Sequence, residues 1–445
     1  MISTIKKSLK KGSSARKILD NISWLFFDKF FKMGVGLFVG IWFARYLGPE
    51  QFGTWNYVLS VITILTVISG LGLDSIVTRE IVKDSENTKS IVGTALILRL
   101  LSSTILYICL FIYSFFTYYG SDNTILWLFI IMSFSFFFQS FNVIDFYFQS
   151  NLQSKYSVIA RNIAFILSTI LKVYLIVFKK DLIMFAIVFS LEFFLTALLL
   201  IYAYVKHGQG INFKLINDKL VTLFKLGIPL LITSMAINIY MRVDQLMLKH
   251  ILDDEAVGFY AAAVKITEIW TFIPAAISYS LFPSIIKLKT QGGEIYHKKL
   301  KYLIELMLLL ALFIIVPIYF LSDEIILLLF GEEYYMSINV LKVHTWVGIF
   351  IFIGLPARKV LIAEDLQTYI SYIAILALSL NIVLNSIFIP MYGIDGAVYA
   401  TLISYAFGSY FFYAFFKKTR FVFKLQTSAL FMNNIFRILS KKKFD

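Results

Sequence analysis

Charged residues are scarce in this sequence. Of its 445 residues, 15% are charged and 59% are hydrophobic, whereas an average soluble domain has about 25% charged and about 45–50% apolar residues. This deficit excludes a string of ordinary soluble domains. It indicates a chain that lies largely within a lipid bilayer.

Metal-binding side chains are also few. Cys109 is the only cysteine, which excludes an internal disulfide, a Cys-rich zinc site and an iron–sulfur cluster. The four histidines, His207, His250, His297 and His344, are scattered and form no pair with metal-ligand spacing. We therefore expect neither a metal nor a cofactor.

The sequence lacks the common catalytic motifs. It contains no Walker phosphate loop, no Gly-x-Ser-x-Gly elbow and no His-Glu-x-x-His motif. We therefore expect a protein that is not an enzyme and that does not draw its energy from direct ATP hydrolysis.

Long apolar runs occupy most of the chain, and none shows the strand-length alternation of a β-barrel. A helix needs about 20 mostly apolar residues to cross the hydrocarbon, and lipid admits only helices or closed barrels. The sequence thus predicts an all-α integral membrane protein with about twelve transmembrane helices. The predicted spans are Ile22 to Tyr46, Gly53 to Val77, Ile91 to Tyr118, Ile125 to Gln149, Val158 to Phe178, Leu182 to Val205, Leu220 to Ile251, Ala256 to Ile286, Leu300 to Leu321, Ile338 to Leu355, Gln367 to Ile389 and Gly396 to Phe416.

The basic residues indicate the orientation of these spans. With the N-terminus inside, 27 of the 41 Lys and Arg residues fall in inner segments and only Lys179 and Lys180 in outer loops. Because positive loops stay in the cytoplasm, we expect both termini there, as a basic tail at 1–21 and another at 417–445. The formal charge of +14 is then a topology signal, and nucleic acid is not an expected partner.

The basic N-terminal segment resembles the start of a signal peptide, but the apolar run that follows is too long, so we interpret it as an uncleaved first span.

A short motif occurs twice, as "LGPEQFGTW" from Leu47 and as "LDDEAVGFY" from Leu252. Six spans fall in each half, so the halves are predicted to be parallel repeats: an N-lobe at 22–205, a cytoplasmic linker at 206–219 and a C-lobe at 220–416. We interpret the motifs as structural turns, with a direct substrate contact as the alternative. In the first motif Gly48 can end a helix, Pro49 can begin the next and Glu50 can face its N-terminal dipole. The turn residues are Gly48, Pro49, Glu50, Gly53, Glu255 and Gly258.

Two further segments are predicted to lie at the membrane surface. Asp323 to Phe330, in the longest outer loop, is expected to form a short helix that ends at Gly331. The tail "FKLQTSALFMNNIFRIL" can lie on anionic lipid as a basic amphipathic helix, and a solvated tail is the alternative.

Several charges fall inside the predicted spans, where a charge costs roughly 2.5–3.5 kcal/mol and is normally paired or faces water. Asp28 and Lys32 are four residues apart and Lys265 and Glu268 three apart, so both pairs can form within a helix. Arg242 and Asp244 are two apart and point in different directions. We expect Asp244 to pair with Lys265 on the next helix and Arg242 to face a hydrated space, or alternatively to extend to the interface.

Four stretches together resemble the Wzx-type oligosaccharide flippases, a branch of the multidrug/oligosaccharidyl-lipid/polysaccharide exporter superfamily. The stretches are "ARYLGPEQFGTWNYVLS" from Ala44, "GLGLDSIVTREI" from Gly70, "MRVDQLMLKHILDDEAVGFYAAAVKITEIWTFIP" from Met241 and "LLFGEEY" from Leu328. The resemblance implies two six-helix lobes that form a V around a central cavity. It also implies a bacterial inner-membrane protein that moves undecaprenyl-pyrophosphate-linked repeat units outward by alternating access. The product would serve O-antigen (lipopolysaccharide) or capsule assembly, and a polysaccharide polymerase and chain-length machinery are implied partners besides the bilayer.

The resemblance also implies roles for the charged residues. The cavity cations of the family correspond to Arg242 and Lys265, with Arg79 near the inner mouth, while Lys32 and Arg99 match by depth alone. The candidates for ion coupling or charge pairing are Asp74, Asp244, Glu268 and Glu305.

Three alternatives remain open. A drug/cation antiporter of the same superfamily would use acidic residues for its cargo. A peptidoglycan-precursor flippase would share the fold. A membrane polysaccharide polymerase would need a large outer loop with catalytic residues, and no predicted outer loop is large.

Overall fold

The computed structural model describes residues 14–208, 217–289 and 293–431, and every regular element in these ranges is a helix. The all-α prediction is therefore confirmed. The α-helices are α1 Ser14–Ser69, α2 Asp74–Lys83, α3 Thr88–Tyr118, α4 Asn123–Ser133, α5 Ser135–Gln139, α6 Val143–Ser150, α7 Ser154–Val177, α8 Leu182–His207, α9 Asn217–Ile251, α10 Asp254–Glu268, α11 Phe272–Lys289, α12 Gly293–Phe320, α13 Ser322–Leu329, α14 Ser337–Thr345, α15 Val347–Ala363, α16 Gln367–Tyr392, α17 Ile394–Ala406, α18 Phe412–Phe415 and α19 Arg420–Leu430.

Ten helical stretches of the described chain are long and apolar enough to cross a membrane. The first of these, Ser23–Lys83, contains two predicted spans because α1 continues across a kink. The predicted twelfth span is divided among α17, a π-helical turn at Phe407–Phe411 and α18. The protein is thus a multi-pass membrane protein with helices at all twelve predicted places.

The kink in α1 lies at the first motif. Gly48 has φ 72° and ψ 172°, and Pro49 follows as the first residue of the second limb. Glycine reaches this positive φ without the steric cost that a Cβ imposes, and proline lacks the N–H that a helix start leaves unsatisfied. The two limbs therefore meet at a bend that their own sequence encodes.

The second motif begins α10 with a side-chain cap. The Asp253 carboxylate accepts a hydrogen bond from the Ala256 backbone N–H at 2.8 Å, and Asp254 and Glu255 occupy the first turn. Acidic residues are favourable there because they face the positive end of the helix dipole.

The chain groups into two compact units. Unit 1 comprises Met1–Tyr46 and Val58–Asn238, and unit 2 comprises Leu47–Tyr57 and Ile239–Asp445. The segment at the α1 kink therefore packs with the second half of the chain, although both of its flanks belong to unit 1. The lobe boundaries at 205 and 220 remain a prediction.

Each unit has its own apolar core. In unit 1 the side chains of Leu73, Val77, Val92 and Phe148 are buried in one cluster. In unit 2 α10 packs on α14, and α10 buries the run Ala261, Ala262 and Ala263. These packed helices hold the polar side chains described below.

A helix is present in each of the two segments that were predicted to lie at the membrane surface. The outer-loop helix is α13, Ser322–Leu329, and Gly331 follows it with φ 94°. The tail helix is α19, which buries Val422 and Leu425 and packs on α12 and α15. Its predicted contact with anionic lipid stays a prediction. Residues 432–445 of the predicted basic tail, and residues 1–13, lie outside the described residues.

Candidate functional site in the C-terminal unit

A buried carboxylate at Asp244 is the centre of a polar cluster in unit 2. Asp244 lies on α9 and is 4% exposed. It accepts hydrogen bonds from the Tyr260 hydroxyl, the Asn385 amide and the Thr401 hydroxyl, each at 2.6 Å. These partners come from α10, α16 and α17, so four helices meet at this carboxylate, and none of the three donors carries a charge.

Two stacked amides complete the cluster. Asn381 and Asn385 lie one turn apart on α16 and are fully buried, and the Asn385 amide nitrogen also donates to the Asn381 side-chain oxygen at 3.1 Å. The Asn385 oxygen has no hydrogen-bond partner among the described residues. An acceptor oxygen buried in this way is available to a further positive group.

The chemistry of this cluster suits a small cation or a proton. An ionised carboxylate buried without a positive partner is costly, and hydrogen bonds from neutral donors offset only part of that cost. The ligand atoms present are oxygens of a carboxylate, amides and hydroxyls, which prefer hard cations. In the described chain no group of three or more His, Cys, Asp or Glu residues could hold a metal ion, so a site of the transition-metal type is not formed there.

The predicted pair between Asp244 and Lys265 is wrong. Asp244 is satisfied by Tyr260, Asn385 and Thr401, and among the described residues no ion pair joins it to Lys265. The Lys265 ammonium instead lies 5.6 Å from the centroid of the Phe52 ring. Depth along two helices had suggested the pair, but depth does not fix the direction in which each side chain points around its helix.

Arg242 has a carboxylate partner, which the sequence had left unassigned. Its guanidinium lies 3.8 Å from the Glu268 carboxylate, and the two side chains are 23% and 44% exposed. Arg242 and Asp244 therefore do face different partners. The expectation that Arg242 faces a hydrated space stays a prediction, and the structure adds a loose, partly exposed ion pair with Glu268.

Unit 1 contains a second, partly buried polar cluster, built from ion pairs. The Lys32 ammonium lies 3.2 Å from the Asp28 carboxylate, as the four-residue spacing predicted. Arg161 of α7 bridges Asp28, at 3.2 Å, and Asp145 of α6. The Asn162 amide donates to Asp28 at 2.9 Å. Two cations thus face two carboxylates.

The remaining predicted site residues lie in different surroundings. Arg99 is nearly buried and lies 3.3 Å from Asp74, whose side chain is 70% exposed. Arg79 is 60% exposed and pairs with its neighbour Glu80, so it is a surface residue in this structure. Glu305 is fully buried on α12, with the Lys301 ammonium at 3.9 Å.

The sequence reasoning missed several members of these clusters. Tyr260, Asn385 and Thr401 carry no charge, so a search for charges in apolar spans passes over them. The signal that could have found them is the Asn381-x-x-x-Asn385 spacing, which places two amides on one face of a span where polar groups are costly. Arg161 was omitted because it lies near the predicted start of its span.

Comparison with known proteins gives a consistent result. A family profile described as "Polysaccharide biosynthesis protein" matches residues 18–289, and one described as MatE matches residues 229–387. The capsular polysaccharide biosynthesis protein CapF of Staphylococcus aureus is 22% identical over 379 residues, which are 83% of this chain and 92% of CapF. The probable low-salt glycan biosynthesis flippase Agl15 of Haloferax volcanii is 24% identical over 184 residues, which cover 39% of this chain and 37% of that protein.

Solved transporters share the fold. The lipid II flippase MurJ in an inward closed conformation has a TM-score of 0.74 at 17% identity, covering 94% of this chain and 93% of MurJ. An inward-facing multidrug resistance MATE family transporter of the MOP superfamily has a TM-score of 0.73 at 17% identity, covering 91% of this chain and 96% of that one. These likenesses show a transporter fold and leave the cargo to be argued from the site.

Proposed function

Because the chain belongs to the polysaccharide biosynthesis protein family, we propose that it is a flippase for lipid-linked oligosaccharides, driven by a cation or a proton that binds at Asp244. The observation that carries the proposal is the buried carboxylate of Asp244, which is held by uncharged donors alone within a membrane-spanning unit. A mobile positive charge would offset the cost of burying this carboxylate, and the sequence has no Walker phosphate loop with which to use a nucleotide.

The cargo that fits is an undecaprenyl-pyrophosphate-linked repeat unit of the Wzx type, moved from the inner to the outer leaflet for O-antigen or capsular polysaccharide. A polar head cannot cross about 30 Å of hydrocarbon unaided. The partly exposed cations Arg242 and Lys32, together with Lys265, would hold the pyrophosphate and sugar by alternating access while the lipid tail stays in the bilayer. Arg99 is buried against Asp74, so its role would be to position α3.

The setting proposed for this activity is a bacterial inner membrane, with both termini in the cytoplasm and with a polysaccharide polymerase and chain-length machinery as partners. The basic inner segments of the sequence support this orientation. Fusing a reporter that is active only in the cytoplasm to each terminus would test it, and activity at both ends is expected.

A flux assay tests the cargo. Proteoliposomes containing an undecaprenyl-pyrophosphate-linked disaccharide would be scored for sugar exposed to a membrane-impermeant oxidant. Arg242→Ala with Lys265→Ala is expected to reduce the rate at least tenfold, and Lys417→Ala with Lys418→Ala, which removes two exposed cations elsewhere, to leave it unchanged. Equal rates for both double variants would contradict the proposed role of the cations.

A second candidate is a drug/cation antiporter, which the acidic Asp244 site and the MatE match at 229–387 favour. Dye efflux that is stimulated by a cation gradient, with no flux of the lipid-linked disaccharide, would support this candidate. A peptidoglycan-precursor flippase is a third, and loss of viability on deletion of the gene would support it.

A further inference from the structure

The two copies of the repeated motif contact each other. Equivalent positions differ by 205 residues, so Pro49 corresponds to Asp254 and Gly53 corresponds to Gly258. Both copies belong to unit 2, because the Leu47–Tyr57 segment packs there. A repeat that was detected as a pattern of letters is therefore also a physical pair.

The contact is reciprocal. A Cβ atom added to Gly53 would collide with the backbone carbonyl of Asp254 and come within 2.8 Å of the Gly258 nitrogen. A Cβ atom added to Gly258 would collide with the backbone carbonyl of Pro49. Each glycine thus packs on the residue that is equivalent to the one its partner packs on, which is the signature of a local two-fold relation.

Only glycine permits this approach. The atoms that an alanine would meet at either position are backbone atoms, which cannot rotate away as a side chain can. Gly34 and Gly36 of the same α1 helix have nothing within 4 Å of an added Cβ. They provide matched controls for a Gly→Ala change in an apolar helix.

Aromatic side chains hold the rest of the Leu47–Tyr57 segment against other residues of unit 2. Phe52 is 2% exposed and meets the edge of Tyr334, with 6.3 Å between ring centroids, while the Lys265 ammonium lies over its ring. Tyr57 is 1% exposed and meets His250 with 5.8 Å between centroids. The segment therefore packs with unit 2 through its aromatic side chains, although its flanks at Tyr46 and Val58 belong to unit 1.

We propose that the Gly53–Gly258 contact is a latch that closes the outer end of the transport path, and that Leu47–Tyr57 must leave its seat on unit 2 before cargo can exit. This inference rests on the proposed function and on the predicted topology, which places both motifs at the outer side. A backbone-to-backbone contact suits such a latch, because each dispersion contact is weak and a gap of about 0.5–1 Å already forfeits about a quarter to a half of it. It also leaves no buried charge when it opens.

Cross-linking tests the latch directly. Glu50 and Glu255 are exposed and equivalent by the repeat, and each lies beside a residue of the contact. In a Cys109→Ser background, Glu50→Cys with Glu255→Cys is expected to be joined by a short dimaleimide. Joined protein should lose flux to the level of empty liposomes, whereas protein carrying only one of the two cysteines should keep its flux after the same treatment. Joined protein that transports at the rate of untreated protein would overturn the proposal.

Glycine variants supply an independent measurement. Gly53→Ala and Gly258→Ala are expected to raise labelling of Glu50→Cys by a membrane-impermeant maleimide at least fivefold, and Gly36→Ala to leave it unchanged. If both alanine variants fold and label as slowly as the parent, the contact is not a latch. Labelling and cross-linking need no cargo, so a wild-type protein that fails to move the lipid-linked disaccharide would count against the proposed function and leave the latch result readable.

Discussion

The two units handle buried carboxylates in opposite ways. In unit 1, Asp28 and Asp145 face Arg161 and Lys32, so the cluster is balanced by fixed cations. In unit 2, Asp244 faces a tyrosine, an asparagine and a threonine. The comparison teaches that fixed cations balance the carboxylates of the first cluster, whereas among the described residues only neutral donors bond to Asp244. An ion that couples to transport therefore has a reason to bind in unit 2.

Removing the shared cation of unit 1 should have the largest effect. Arg161→Ala leaves Asp28 and Asp145 without their common partner, and breaking a buried ion pair in this way costs about 3–5 kcal/mol. We expect a drop of that size in the free energy of unfolding, measured by urea titration in detergent. Arg79→Ala is the control, because its side chain is 60% exposed and surface changes usually stay within about 0.5 kcal/mol. Equal losses for both variants would break the comparison between the units.

Neutralising Asp244 or Asp28 should change the melting temperature differently in the two units. Asp244→Asn removes a charge that pairs with no cation among the described residues, so the melting temperature in low salt should not fall. The wild-type melting temperature is expected to rise with added NaCl, KCl or acid, and this rise should disappear in the variant. Asp28→Asn should lower the melting temperature under all conditions, because Arg161 and Lys32 lose a partner. In the wild type a saturating cation should add about 2.7 kcal/mol at 100 times its dissociation constant. A wild-type melting temperature that ignores all three additions would contradict the ion site.

Removing one hydrogen-bond donor from the Asp244 cluster should have an intermediate effect on cation binding. Thr401→Val removes one of the three donors to Asp244, and a hydrogen bond to a charged group contributes about 1.5–3 kcal/mol. We expect the cation concentration at half-maximal stabilisation to shift by at least tenfold. Thr104→Val is the matched control, because the Thr104 hydroxyl bonds only to the Leu100 carbonyl of its own helix. An identical shift in the control would show that the response is not local to Asp244.

The loose pair beside the site should contribute least to stability. The Arg242 and Glu268 side chains are separated by 3.8 Å and are partly exposed, and such pairs contribute about 0–1 kcal/mol. Glu268→Gln is therefore expected to change the free energy of unfolding by less than about 1 kcal/mol, as measured by the same urea titration. A loss above that range would mean that this pair belongs with the tightly held cluster of unit 1.

The sequence was sufficient for the helices and for the charges, because both depend on composition along the chain. All twelve predicted spans are helical, and the Asp28–Lys32 pair followed from spacing within one helix. Partners on different helices were not predictable in the same way. The direction of Asp244 around α9 decides whether it meets Lys265 or Thr401, and no spacing within a single helix contains that angle.

Uncharged partners of Asp244 were also not predictable from the sequence. Asn385 and Thr401 donate two of the three hydrogen bonds to Asp244, yet in the sequence they resemble ordinary polar residues of a packed span. The repeated motif shows the converse case. Its two glycines were interpretable from the sequence as turn residues, and only the fold shows that they contact each other.

The amide of Gln426 determines the geometry of the last span. Its nitrogen donates to the carbonyl oxygens of Ile353 and Ser409, and Ser409 lies in the π-helical turn at Phe407–Phe411. A chain cut before Arg420 would remove this donor from both oxygens, and we expect the wide turn then to tighten by one residue. One residue corresponds to a rotation of about 100°, so Tyr413 and its neighbours would swing to another side of the bundle. The helix α19 thus helps to fix the rotation of the preceding span about its axis, although that span ends before α19 begins.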